Sequence, residues 1–198
     1  MQKPSGYDEA QTIGQLTPVE LGGHYAVIKQ VSERKTEKGK DMIVVLFDFC
    51  SPDKQTGYFK SQFENDDRED KKWPFAGSKY IMINDFNDPT KTSKAFKTFC
   101  TCAVKSNGMS IVWNGNGWGK QFTGKKIGVV FGEEEHKYNG KISMRHNPKW
   151  FCVYDKVGEQ DIPRPKYLNG SSPATAPAKA DDGFMDIPDD STDEEIPF

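Results

Sequence analysis

Residues 23–31, Gly-His-Tyr-Ala-Val-Ile-Lys-Gln-Val, set Tyr25, Val27, Lys29 and Val31 against Ala26, Ile28 and Gln30, the two-residue period of a half-buried strand. The charged stretch 32–40, with Gly39 inside it, predicts a loop. Residues 42–49, Met-Ile-Val-Val-Leu-Phe-Asp-Phe, run apolar, β-branched and aromatic without interruption, as a central strand covered on both faces does. A third strand is predicted at residues 58–63, after the turn-forming stretch 51–57, Ser-Pro-Asp-Lys-Gln-Thr-Gly. Residues 64–79 are strongly polar and predict an exposed excursion. From 93 to 106 the period changes: Phe96, Phe99, Cys100 and Ala103 fall at helical spacing, Thr92 or Ser93 can cap the start, and Asn107-Gly108 supplies a left-handed stop. A glycine-rich loop from Trp113 to Gly119 follows, then a strand beginning with residues 127–131, Ile-Gly-Val-Val-Phe. Asn139-Gly140 is a type I′ hairpin signal that turns this strand into another from about Lys141, with residues 150–154 continuing or adding to the sheet.

Three strands, a helix and two further strands make a mainly β chain. The order predicts a five-stranded OB-fold barrel with one helix between strands 3 and 4, a fold whose strand face and loops take oligonucleotides. A small α+β sandwich fits the same order.

Charge divides the chain where hydrophobic periodicity stops. The net charge is −2, but residues 169–198 hold eight acidic residues and one lysine, a net of −7. The preceding 168 residues hold 26 basic and 21 acidic side chains, a net of +5. A basic body with an acidic appendage points to nucleic-acid partners and an interaction tail. Residues 169–186 begin with Asn-Gly-Ser-Ser-Pro-Ala-Thr-Ala-Pro-Ala-Lys-Ala, too poor in apolar side chains to offset ordering entropy, and predict a flexible linker. The expected organisation is a folded domain over 1–168, this linker, and an acidic tip over 187–198 in a disordered tail. Arg164-Pro-Lys-Tyr-Leu168 is expected to dock on the body as a final extended strip. No apolar run approaches the roughly 20 residues of a membrane span, and no signal-like stretch follows Met1, so the expected setting is the cytoplasm, with no membrane partner. Cys50, Cys100, Cys102 and Cys152 contain no C-x-x-C pair and read as reduced, mostly buried thiols; no metal and no cofactor is expected.

Binding of a single strand requires cations for phosphates and flat rings for bases, interleaved on one surface. Arg34, Lys35 and Lys40 cluster in the first predicted loop, with Lys38. Tyr58 and Lys60 share a face of the predicted third strand, and Lys71-Lys72-Trp73 puts cations beside an aromatic ring. Trp113, Trp118 and Lys120 lie in the glycine-rich loop, Lys125-Lys126 precede a strand, and Arg145, Lys149 and Trp150 follow the hairpin. Helix-turn-helix, zinc-finger and basic-zipper patterns are all missing, which disfavours readout of a duplex major groove. Enzyme readings find less. Asp66, Asp67, Glu69 and Asp70 with Lys71, or Glu133-Glu-Glu135, resemble fragments of a two-metal nuclease site, but both runs read better as solvated charge. The expected function is therefore non-enzymatic, with an RNA-binding OB module and a metal-dependent nuclease as alternatives.

The end of the chain is the most specific signal. Asp186-Ile-Pro-Asp-Asp190 is echoed by Asp193-Glu-Glu-Ile-Pro-Phe198, an acidic run closed by a small apolar tip. Carboxylates steer such a segment toward basic surfaces, and an apolar tip can fill a pocket edged by Arg or Lys. The run Asp193, Glu194, Glu195, Ile196, Pro197 and Phe198, at the end of a Pro/Ala/Ser linker, closely resembles the C-terminal tip of bacterial and phage single-stranded DNA-binding proteins. In the body, Tyr58-Phe-Lys-Ser-Gln-Phe, Asp70-Lys-Lys-Trp-Pro74 and Gly124-Lys-Lys-Ile-Gly-Val-Val-Phe-Gly-Glu-Glu-Glu135 look like those of phages and prophages of Gram-positive bacteria. The resemblance implies an OB fold and sequence-tolerant binding and protection of single-stranded DNA. It also implies a tip that recruits replication, recombination and repair proteins. A homo-oligomer is compatible with it.

Overall fold

The computed structural model describes residue 3, residues 17–113 and residues 117–168. Five strands, β1 (Gly22–Lys35), β2 (Asp41–Phe49), β3 (Ser78–Met82), β4 (Lys126–Tyr138) and β5 (Lys141–Cys152), form one antiparallel sheet in the order β3-β2-β1-β4-β5. Among the described residues, two α-helices, α1 (Tyr58–Glu64) and α2 (Lys94–Asn107), and three short 3-10 turns accompany the sheet in a mainly β fold. Among the described residues no ladder joins β3 to β5, so the sheet is open where a barrel would close. The two edges still meet at one point, where Lys79 Nζ on β3 donates to the Pro148 carbonyl on β5 at 2.9 Å.

The core lies between one face of this sheet and α2. Phe47, Phe49, Phe59, Phe99, Phe122 and Phe131 are fully buried, and their rings interlock with centroids 5.6 Å apart for Phe49–Phe131 and 5.1 Å for Phe99–Phe122. These distances are typical of edge-on and offset aromatic pairs, which add to the burial of the rings themselves. Phe96, Phe99, Cys100 and Ala103 are the buried stripe of α2, as their spacing predicts. Ser93 Oγ accepts from the Phe96 amide at 3.1 Å, and Gly108 ends the helix at φ 59°. The hairpin signal holds as well. Asn139 and Gly140 both take positive φ, 48° and 77°, as a type I′ turn requires. The strip beyond residue 163 docks along β4, where the Glu135 amide donates to the Lys166 carbonyl at 2.8 Å and the Lys166 amide to the Glu133 carbonyl at 3.1 Å.

Four expectations need correction. Residues 58–63 are helical, not a strand, because the buried carboxylate of Asp48 on β2 accepts the amides of Phe59 at 3.0 Å and Lys60 at 3.4 Å, capping the first turn of α1. The third strand is Ser78–Met82 instead, overlapping the end of the stretch read as a polar excursion. The first strand runs on to Lys35, deep into the residues read as a loop, because β2 pairs with it through Lys35↔Asp41. Finally, β5 stops at Cys152, and Tyr154 opens a 3-10 turn, Tyr154–Glu159.

Cys100, Cys102 and Cys152 are buried and free, with burial raising the first two thiols to about 11 and the third to about 12. Cys50 is half-buried and also free. Among the described residues no helix is long and apolar enough to cross a membrane.

Candidate nucleic-acid interface

The predicted binding residues fall into three groups rather than one. Around α1, Tyr58 is a lid on the core: its hydroxyl donates to the Thr17 carbonyl at 2.6 Å and its ring meets Phe59 edge-on at 5.1 Å. Burial raises its pKa above the ordinary phenol value. Trp73 is likewise structural, its indole N–H donating to the Gly77 carbonyl at 3.0 Å and its ring 5.7 Å from Phe63. Because residues 58–63 are helical, Tyr58 and Lys60 stand ~200° apart around the axis and do not share a face. Lys60 pairs with Glu64 at 3.6 Å, Lys71 Nζ donates to the Glu64 carbonyl at 3.2 Å, and Lys72 pairs with Asp70 at 3.9 Å. A second group sits on β5, separated from β2 by β4 and β1. There exposed Arg145 lies opposite Glu134, and Trp150 donates its indole N–H to Gln160 Oε1 at 3.3 Å. The acidic tip, Asp193, Glu194, Glu195, Ile196, Pro197 and Phe198, lies outside the described residues.

The third group, Arg34, Lys35 and Lys40, borders the most suitable surface. Strand registers place Ser32 opposite Val44, and Val44 opposite Tyr80; one step along, Arg34 faces Met42 and Met42 faces Met82. The intervening residues Ile43, Val45 and Ile81 belong to the main core, so by the two-residue period the first set occupies the outer face of β1, β2 and β3. Val44 is buried yet stands apart from that core, with Ser32 and Tyr80 opposite it on the neighbouring strands. Tyr80 stacks on Phe75 with centroids 6.0 Å apart and planes 26° apart, and the pair remain 39% and 54% exposed. Lys40 Nζ lies 3.9 Å over the ring of Phe86, itself 65% exposed. Lys35 is tied to Asp41 at 2.8 Å. The exposed Phe75–Tyr80 stack thus shares a half-apolar sheet face with Arg34, and Lys40 lies over exposed Phe86, an arrangement able to stack bases and hold phosphates.

Sequence reading missed Phe75, Tyr80 and Phe86. The only available signal was Ser-Lys-Tyr-Ile-Met at 78–82, five residues in which Tyr80 and Met82 alternate with Ile81.

Opposite charges elsewhere are structural. Glu134 accepts from Lys149 Nζ at 3.0 Å and from Asn147; burial works to raise its pKa, but these bonds hold it below the usual carboxylate value. Asp66 is held at about 2 by hydrogen bonds from Arg68, whose guanidinium lies 2.6 Å away. Among the described residues no cluster of three or more His, Cys, Asp or Glu could hold a metal ion. No protein-family model matches this chain, and no curated protein matches it significantly.

Proposed function

We propose that the protein binds and protects single-stranded DNA without sequence preference, on the outer face of β1, β2 and β3, through a partly open barrel of OB type. The observation that carries this reading is the exposed Phe75–Tyr80 stack on the same sheet face as Arg34, together with the Lys40–Phe86 pair. Support for the fold comes from the strand order, which closes on itself if β3 meets β5, and from the Lys79–Pro148 bond where those edges touch. In OB folds the face of strands 2 and 3 and the adjoining loops take oligonucleotides. The +5 body supplies the attraction to phosphates, and the tip resembling single-stranded DNA-binding proteins supplies the means of recruiting replication, recombination and repair proteins. No catalytic step is part of this reading.

The test is anisotropy of labelled oligo(dT) at several salt concentrations, with RNA of equal length as competitor. Log affinity is expected to fall with log salt by about 0.7 per phosphate contacted. Phe75→Ala with Tyr80→Ala is expected to weaken binding about 5- to 100-fold, the range for losing base–aromatic stacking, with unchanged circular dichroism. Undiminished affinity in the double variant refutes the assigned face, and equal preference for RNA replaces the DNA reading with an RNA-binding module.

A further inference from the structure

A second aromatic surface lies around the inner edge of β1. Trp118, in the 3-10 turn Trp118–Phe122, stacks on Phe96 of α2 with centroids 5.7 Å apart, and Trp113 stacks on Trp118 at 5.7 Å with planes 24° apart. The outermost ring, Trp113, is 63% exposed. These three rings, with Lys97 and Lys105 of α2 and Glu33 of β1, line a groove of about 880 Å³. A second depression of about 470 Å³ adjoins it and shares Glu33; it is lined by Gln30, Ser32 and Lys120.

The second depression is a bridge. Ser32 and Gln30 belong to the outer face, where they lie opposite Val44 and Leu46, whereas Glu33 points the other way, opposite Ile43. A track therefore leads from the Phe75–Tyr80 stack past Val44 and Ser32, over the edge of β1 beside Lys120, and into the groove beneath Trp113. Its charge differs in kind from the clusters around α1. Lys60 and Lys72 there are tied to neighbouring carboxylates, while Lys97, Lys105 and Lys120 form no ion pair among the described residues. Three uncommitted ammonium groups face one carboxylate, Glu33, so the track favours a polyanion over an acidic-aromatic peptide that would bring its charge to one end only.

We propose that this groove is a nucleobase site: an unstacked base of the bound strand lies on the open face of Trp113, Lys97 and Lys105 hold the flanking phosphates, and Lys120 holds the backbone where it crosses β1. The site rests on the single-strand-binding reading and extends it, since it makes the strand turn around an edge instead of ending on the outer face.

Tryptophan fluorescence separates the possibilities. With oligo(dT), the wild-type protein is expected to show quenching that Trp113→Phe largely abolishes and Trp150→Phe retains, and Trp113→Ala is expected to weaken affinity about 5- to 100-fold. A strand of equal length carrying abasic positions is expected to bind with the same salt slope and little quenching. The double variant Lys97→Gln with Lys105→Gln is expected to lower that slope by about 0.7 for each phosphate no longer held. Quenching and affinity undiminished in the Trp113 variants overturn the groove and leave the outer face standing. Wild-type protein that does not bind oligo(dT) overturns both, and quenching of Trp113 by a free Asp-Glu-Glu-Ile-Pro-Phe peptide in place of DNA makes the groove a peptide site.

Discussion

Replacing Lys79 by methionine is expected to stabilise the protein at neutral pH and to lose that advantage in alkali. Lys79 projects from β3 toward β5, where its ammonium meets the Pro148 carbonyl at 2.9 Å. Burial, reinforced by Lys149 and opposed by Glu134, lowers its pKa from 10.5 to about 8. At about 1.4 kcal/mol per unit, a change of that size corresponds to about 3 kcal/mol of cost for keeping the group charged in the folded state. Between those two values the unfolded chain binds more protons than the folded one, so wild-type stability rises with pH through that window. Below the lower value the ammonium is charged in both states and the full cost is present. Lys79→Met removes the cost but also the bond to Pro148, worth about 1 kcal/mol. The net expectation is a variant about 1–2 kcal/mol more stable at pH 7, with the advantage vanishing or reversing by pH 10.5. Urea unfolding of both proteins at pH 7, 9 and 10.5, read as the difference between them, cancels the titration of tyrosines and other lysines. A variant less stable than wild type by the same amount at every pH refutes the reasoning.

Two further outcomes follow from the packing of the body. The Asp53 carboxylate accepts from His24 Nδ1 at 3.1 Å and from the amides of Tyr25 and Gln55 at 2.9 Å each; burial acts to raise its pKa, but these bonds outweigh it and lower the value below 3.8. Asp53→Asn is expected to cost about 2–3 kcal/mol at pH 7, and the gap to wild type, measured by urea unfolding, to close as pH falls through the depressed folded value. A Cβ on Gly119 would stand 2.1 Å from the Val31 carbonyl oxygen, so Gly119→Ala is expected to lose about 1–3 kcal/mol by lifting the Trp118 turn off β1, seen as a lower Tm by circular dichroism.

How far the sequence could be read depended on the range of the forces that shape each element. Local signals sufficed for β2, for α2 and for the Asn139-Gly140 turn, where composition, capping and backbone preference agree within a few residues. They failed at residues 58–63, whose Tyr-Phe-Lys-Ser-Gln-Phe suits a strand or a helix. The choice is made by Asp48, ten or more positions earlier in the chain and delivered by the sheet. They failed again at β3, which is five residues long and carries a polar residue on each face, Ser78 beside Tyr80 on one and half-buried Lys79 beside Ile81 on the other. The candidate site shared that difficulty. Charged residues announced themselves, yet Lys35, Lys60 and Lys72 are paired with nearby carboxylates, whereas Tyr80 gains its place only through pairing with Val44 and stacking on Phe75.

The docked strip at residues 163–168 also bears on how the chain avoids sticking to itself. β4 continues past Phe131, the last of its residues paired with β1, and beyond that point one side of its backbone faces outward as a strand edge. An exposed edge is a template on which a strand of another molecule can add. Lys166 occupies it with two backbone hydrogen bonds, and the Leu168 amide reaches Glu135 Oε2 at 3.0 Å. Tyr138 and Ile142, both largely exposed, stand on the same hairpin and would strengthen any such addition. A version of the protein shortened at Cys152, where the last sheet strand stops, would keep every strand but lose buried Tyr154 and Val157 together with the cover on β4, so the residues after the last strand serve the packing of the body and the protection of its edge at once.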